Sequence, residues 1–306
     1  MSLTPPIQPI QFELLPPVPA ISLVHRLREI PLFRFTSMDE LFRIATISRQ
    51  VRYAAESRVQ ERGAPAEYMQ VLVQGRFRLE NDSELLAPPA MLGFQEVLKG
   101  TPLQSSAVAE TESIALVMPA EEFRTLLAAN IELAQGLFRM LLGAPGNGGG
   151  TAPAARTSSF RYEHRAAPLK TVEKVMYLQT VPILSHATAE ELYEVAAIAR
   201  EIGLVETETL FSAGAPASIV LLLAGAMELS SAAGASARVE AGASIGVRET
   251  LAGASFLDTV RVVASGRALQ IDREPLFDLL ADRMDLLQGV FSAVFHGKGG
   301  SPVGPR

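Results

Sequence analysis

The chain contains no cysteine. Disulfides, thiolate nucleophiles and cysteine-ligated zinc or iron–sulfur centres are therefore excluded. It also lacks an excess of positive charge: 27 Lys and Arg stand against 33 Asp and Glu, for a net charge of −6 and a pI of about 5.4. General nucleic-acid and anionic-membrane surfaces need a positive field, so neither is expected. Histidine is scarce. His25, His164, His186 and His296 have no companion ligand three or four residues on, so neither a metal site nor a metal cofactor is expected. The longest strongly apolar run, Ile219 to Leu229, is shorter than the roughly 20 residues of a membrane helix. The opening Met1-Ser2-Leu3-Thr4-Pro5-Pro6 has neither the positive start nor the apolar stretch of a secretory signal. The expectation is a cytoplasmic protein with no membrane span.

What the chain does have is repetition. Ile30-Pro31-Leu32-Phe33 is echoed by Val181-Pro182-Ile183-Leu184, and Gly63-Ala64-Pro65 by Gly214-Ala215-Pro216. The stretch Gly93-Phe94-Gln95-Glu96-Val97-Leu98-Lys99-Gly100 returns as Gly246-Val247-Arg248-Glu249-Thr250-Leu251-Ala252-Gly253. Gln135-Gly136-Leu137-Phe138 returns as Gln288-Gly289-Val290-Phe291. The offset is near 150 residues, about the size of a domain and far beyond the periods of solenoids and propellers. A chain of 306 residues with 48% hydrophobic content can fill two cores of that size.

Residues 1–24 form a Pro-rich leader with Pro5, Pro6, Pro9, Pro16, Pro17 and Pro19 among apolar residues. This composition predicts an extended strap, docked on its own domain or on a partner, or a disordered segment. The first copy is assigned to residues 25–142. It opens with a helix capped by Ser37 and Glu40, and Thr188 and Glu191 do the same in the second copy, residues 175–296. Short strand-like runs follow, at Val51 to Val59, Met69 to Leu79, Ser106 to Ala109 and Ile114 to Val117, then Ile202 to Phe211, Ile219 to Leu229, Thr259 to Val263 and Ala268 to Ile271. Their spacing predicts an all-β roll or barrel. Each copy closes with a helix, Ala120 to Leu142 in the first and a second that Asp272 can cap. Residues 143–174 read as a Gly-, Pro- and Ala-rich linker, flexible by composition. Arg161, His164, Arg165, Lys170 and Lys174 make its end mildly basic, as a solvated surface would be. Residues 297–306 read as a frayed tail.

A helix, a β-roll with a Gly-rich segment between late strands and a closing helix resemble the cyclic-nucleotide-binding domain. That superfamily includes the catabolite activator protein and the regulatory subunit of protein kinase A. The resemblance rests on Gly75 and Gly225, Gly93 and Gly246, Gly100 and Gly253, Asp272-Arg273-Glu274 and Thr259-Val260-Arg261. It implies two tandem β-roll domains, mainly β with flanking helices, each with a phosphate-binding cassette. In the family, cassette amides and one Arg hold the cyclic phosphate, and a Glu after the cassette Gly takes the ribose hydroxyl. Here the Glu position holds Phe94 and Val247, and an ungapped count places Leu103 and Phe256 at the Arg position, with Gln104 the nearest polar substitute. Losing the cation removes a contact worth on the order of 1.5–3 kcal/mol, so cyclic AMP and cyclic GMP are not expected to bind. Glu96 and Glu249, with Arg248 and Arg261, could line a remodelled pocket. Alternatively, the two carboxylates bond nearby amides or face water, and the arginines form surface ion pairs.

Gly242-Ala243-Ser244-Ile245-Gly246 fits Gly-x-Ser-x-Gly, and Asp258 or Asp272 with His296 completes a hydrolase-like chain order. That chemistry needs a strand-to-helix elbow in a parallel sheet, and the first copy has no serine at the matching place. No helix-turn-helix pair fits after either closing helix, so direct DNA binding is not expected. The sequence therefore points to a bacterial-type, non-enzymatic regulatory or scaffolding protein that engages a protein partner. The alternative is a sensor of a cyclic nucleotide or other small molecule through remodelled pockets.

Overall fold

The computed structural model describes residues 12–81, 84–143, 168–232 and 234–296. The chain divides into two compact units, residues 1–133 with 298–306, and residues 134–297. The N-terminal part of the leader, the linker residues Arg161, His164 and Arg165, and the tail lie outside the described residues.

In the first unit, β1 (Glu13–Leu14) pairs antiparallel with β2 (Arg49–Tyr53). Phe12, just before it, packs edge-on against Tyr53 at 5.9 Å and Tyr68 at 6.0 Å. At residues 12–14 the strap therefore docks on its own unit. α1 (Ala20–Arg28) starts directly after Pro19, where the fixed proline φ suits a helix entry. It buries Leu23, Val24 and Leu27. α2 (Met38–Ile47) carries the expected capping box: Glu40 N–H donates to Ser37 Oγ, and Ser37 N–H to the Glu40 carboxylate. The roll follows as β3 (Arg58–Gln60), β4 (Tyr68–Gln74), β5 (Phe77–Leu79), β6 (Leu85–Leu86), β7 (Ala90–Leu92), the short helix α3 (Phe94–Lys99), β8 (Ala107–Ala109) and β9 (Ser113–Pro119). Two antiparallel sheets result, in the orders β1-β2-β9-β4-β7 and β3-β8-β5-β6. α4 (Ala120–Ala129) closes the roll, and α5 (Ile131–Leu142) falls in the second unit from Ala134 onward.

The second unit repeats the order with α6 (Thr171–Leu178), α7 (Ala189–Ile198), β10 (Arg200–Leu204), β11 (Thr209–Phe211), β12 (Ser218–Ser230), β13 (Ser236–Glu240), β14 (Ser244–Ile245), α8 (Val247–Ala252), β15 (Thr259–Asp272), α9 (Arg273–Asp282) and α10 (Met284–His296). β12 and β15 run unbroken where the first unit has β4 plus β5 and β8 plus β9. The turn glycine explains the shared bend. Gly75 and Gly225 have φ of +93° and +94°, and a Cβ on Gly225 would sit 2.5 Å from the Ala264 carbonyl oxygen. In the second unit the bend is absorbed as register shifts around Ala224.

Three expectations need correction. The sequence shows no helix ahead of Ser37 or Thr188, yet α1 and α6 stand there. Each closing helix is two helices, broken at Asn130 (φ −140°) and Arg283 (φ −124°). Asp272 occupies the N-cap of α9 but does not cap it, because its carboxylate accepts from Arg200 at 2.6 Å and Gln270 at 2.7 Å. The breaks share one device. Asn130 accepts from Arg43 of α2, whereas Arg283 donates to Glu194 of α7, so the same two positions exchange donor and acceptor.

The interior of the first roll holds a buried polar pair. Tyr53 donates its hydroxyl to Gln70 Oε1 at 2.6 Å, and Gln70 donates to the Val59 carbonyl at 3.2 Å. Tyr53→Phe should cost about 1–3 kcal/mol in urea unfolding, because Gln70 Oε1 loses its donor while buried. Burial, and secondarily Tyr68, raises the Tyr53 pKa. The native state therefore keeps this proton after the unfolded chain has released it, near pH 10. Stability from this group is complete below about pH 10 and declines as pH rises further, and Tyr53→Phe should remove that part of the decline.

Candidate functional site

Each cassette is a strand, a left-handed glycine, six helical residues and a second left-handed glycine. Gly93 (φ +74°) and Gly100 (φ +68°) bracket α3, and Gly246 (φ +73°) and Gly253 (φ +65°) bracket α8. Backbone proximity dictates the first glycine. A Cβ on Gly93 would lie 2.6 Å from the Tyr68 carbonyl oxygen, and one on Gly246 would lie 2.1 Å from that of Ser218. The second glycine ends the helix by donating its N–H to Glu96 or Glu249, the residues matched across the repeats.

The chain then returns across the cassette. Leu103 N–H donates to Ala64 O at 2.9 Å, and Gly63 N–H donates to Leu103 O at 2.8 Å. Phe256 N–H donates to Ala215 O at 2.9 Å, and Gly214 N–H donates to Phe256 O at 2.8 Å. The repeated Gly-Ala-Pro is thus a clasp for Leu103 in the first copy and Phe256 in the second. That residue is apolar and buried in both copies, with Leu103 4% and Phe256 5% exposed. Leu103 Cδ2 lies 3.7 Å from where a Gly93 Cβ would stand, and the Phe256 ring lies within 3.0 Å of the corresponding point on Gly246. Phe256 also stacks on Phe211 at 4.5 Å and belongs to the core of the roll. In each copy a hydrocarbon side chain therefore faces the glycine that starts the cassette helix.

The remaining candidate residues are dispersed. Phe94 is buried and Val247 half-buried, so neither supplies a carboxylate. Gln95 is half-buried, and exposed Gln104 donates to the Pro102 carbonyl at 2.8 Å, which ties it to its own turn. Glu96 and Glu249 are half-buried and make no side-chain hydrogen bond or ion pair among the described residues. Arg248 is half-buried, with Nε shielded and without an acceptor. Arg261 is exposed on β15, opposite Thr209 and Glu228. Neither the place of Phe211 nor the part played by the repeated Gly-Ala-Pro turns was legible in the sequence.

Ser244 lies in β14, opposite Leu221, rather than on an elbow. The His296 ring pairs with the Ser292 carbonyl at 2.7 Å. No cluster of three or more His, Asp or Glu able to hold a metal occurs among the described residues, and no helix there is long and apolar enough to cross a membrane.

If Phe256 is part of the core, Phe256→Ala should destabilise the second unit by about 3 kcal/mol or more in denaturant unfolding. A loss below about 1 kcal/mol would mean that the ring leaves the cassette readily.

Residues 50–130 match the family model described as the cyclic nucleotide-binding domain. Among solved structures, the chain is similar to the regulatory domain of Toxoplasma gondii protein kinase A with cAMP. Identity is 13%, 88% of this chain and 94% of that chain are covered, and the TM-score is 0.34. It is similar to the regulatory subunit of a cAMP-independent protein kinase A from Trypanosoma cruzi bound to guanosine, at 14% identity, 92% and 94% coverage and a TM-score of 0.34. It is also similar to a cyclic nucleotide-binding-like protein from Brucella abortus, at 22% identity, with 35% of this chain and 97% of that chain covered and a TM-score of 0.31. No curated protein matches the chain.

Proposed function

We propose that this tandem pair of cyclic-nucleotide-binding-like domains is a non-enzymatic regulatory module that acts by engaging a protein partner rather than by binding cyclic AMP or cyclic GMP. The observation that carries this reading is that Leu103 and Phe256, which an ungapped count places at the family's Arg position, are buried and each clasped by two backbone hydrogen bonds. A cyclic phosphate there would meet hydrocarbon with no guanidinium, and desolvating an unpaired anion is costly.

A second observation supports the partner. Each copy exposes large apolar side chains at equivalent places on its opening helices: Ile21 (56%) and Phe42 (49%) on α1 and α2, and Val172 (65%) and Tyr193 (54%) on α6 and α7. Exposed apolar and aromatic positions of this kind suit a protein interface. Repeats at residues 25–142 and 175–296 are part of the same proposal. The alternative, a sensor with remodelled pockets, draws on the carboxylates of Glu96 and Glu249, which make no side-chain hydrogen bond or ion pair among the described residues.

Thermal unfolding against cyclic mononucleotides and cyclic dinucleotides tests the reading. A ligand at about 100 times its dissociation constant adds roughly 2.7 kcal/mol, which moves Tm by several degrees in domains of this size. The expected result is no shift with cyclic AMP or cyclic GMP, and a clear shift with either would overturn the proposal. Should another member of the panel stabilise the protein, and Glu96→Ala or Glu249→Ala abolish that effect without altering the unliganded Tm, the sensor reading would replace it.

A further inference from the structure

The four histidines are scattered along the chain, yet the fold brings two of them together. His186 follows the single 3₁₀ turn Pro182–Leu184, just ahead of α7, and His296 is the last residue of α10. Their ring centroids lie 5.5 Å apart, with the planes tilted by 34°. Both residues belong to the second unit, and both are exposed. The approach has a simple cause. Gly289 of α10 has no side chain, and a Cβ there would stand 3.4 Å from the His186 Cβ, so this stretch lies directly on the helix. Gly289 and His296 are seven residues apart, about two turns, and so share one face. The His296 ring bends back along that face, with Nδ1 2.7 Å from the carbonyl of Ser292, one turn earlier.

A carbonyl only accepts, so Nδ1 of His296 carries the proton, and in the neutral ring Nε2 keeps its lone pair. A backbone carbonyl holding one ring nitrogen is the arrangement that fixes a metal-ligating histidine through the other. His186 makes no side-chain hydrogen bond or ion pair among the described residues, so its nitrogens are not committed elsewhere. Two imidazoles sharing one tetrahedral ion, each at about 2.0–2.1 Å, have ring centroids about 5 Å apart. The observed separation is close to that. α10 also ends here, and the partial negative charge of a helix C-terminus favours a cation. The equivalent places in the first copy hold Phe35 and Gly143. Both copies keep the Gln-Gly pair of the closing helix, at Gln135-Gly136 and Gln288-Gly289, but only the second has the two imidazoles.

We propose that the second unit binds a zinc-type divalent ion through His186 and His296. Imidazole nitrogens suit Zn²⁺, whereas Mg²⁺ and Ca²⁺ need oxygen ligands that this pair does not supply. With two protein ligands the other positions go to water, which the exposure of both rings permits. The ion ties the chain ahead of α7 to the end of α10, so its binding adds to the stability of the unit. The site shares no residue with either cassette and stands or falls separately from the proposed regulatory function.

The full chain, free of any histidine tag and stripped of metal with EDTA, is titrated calorimetrically with Zn²⁺, and its Tm is measured with Zn²⁺ and with Mg²⁺. One saturable Zn²⁺ site per chain is expected, with a rise in Tm that Mg²⁺ does not reproduce. His186→Gln and His296→Gln should each weaken binding at least tenfold and cancel the rise, while His25→Gln, at an exposed place on α1, should do neither. The metal-free Tm of both variants should match that of the parent, because both rings are exposed, and this separates lost binding from lost folding. If one variant melts early, the other decides alone. No saturable Zn²⁺ binding, binding left intact by either substitution, or equal weakening by His25→Gln would overturn the site.

Discussion

Four backbone hydrogen bonds, two in each copy, set the character of this protein. They join the strand returning from the cassette to a Gly-Ala turn on the opposite side of the roll, with Leu103 held by Gly63 and Ala64, and Phe256 by Gly214 and Ala215. Fixing the backbone there leaves the side chain one inward direction, across the glycine that starts the cassette helix. Whatever residue occupies the position then decides whether the helix end faces charge or hydrocarbon. With Phe in place, the interior of the second roll continues to the cassette as one apolar core, and Phe256 belongs to it together with Val220, Met227 and Val260.

The two copies keep positions and change chemistry. Tyr53 and Gln70 form a buried hydrogen-bonded pair in the first roll, and the equivalent places in the second are Leu204 and Val220, both buried and apolar. The closing-helix break is tied to the preceding helix by Asn130 and Arg43 in one unit and by Arg283 and Glu194 in the other, with donor and acceptor exchanged. Such swaps preserve shape because a buried polar pair and an apolar pair of similar size can serve one fold, whereas half of either cannot.

This explains which parts of the molecule were legible in the sequence. The capping boxes at Ser37 and Thr188 were readable because local spacing alone defines them. The roll and its cassettes were readable from short strands, the duplicated glycines and the family likeness. The breaks at Asn130 and Arg283 were not, because both residues sit inside a continuous apolar periodicity and the kink is fixed by partners 87 and 89 residues away. The approach of Arg139 and Arg273 over Gly253 was hidden for the same reason, since the three residues are distant in sequence.

The surviving glycine pattern deserves a physical rather than a functional reading. Gly93 and Gly246 are required because the carbonyls of Tyr68 and Ser218 occupy the space a Cβ would need, and φ near +74° excludes most other residues in any case. That demand comes from the strand beneath the cassette and is the same whether a ligand is present or not. A glycine-framed cassette therefore reports the fold, while the residues that touch a ligand are free to change on top of it. On top of the two glycine frames the side chains differ: Phe94 and Leu103 are buried in the first copy, and in the second Val247 is half-buried while Phe256 is buried in the core of the roll.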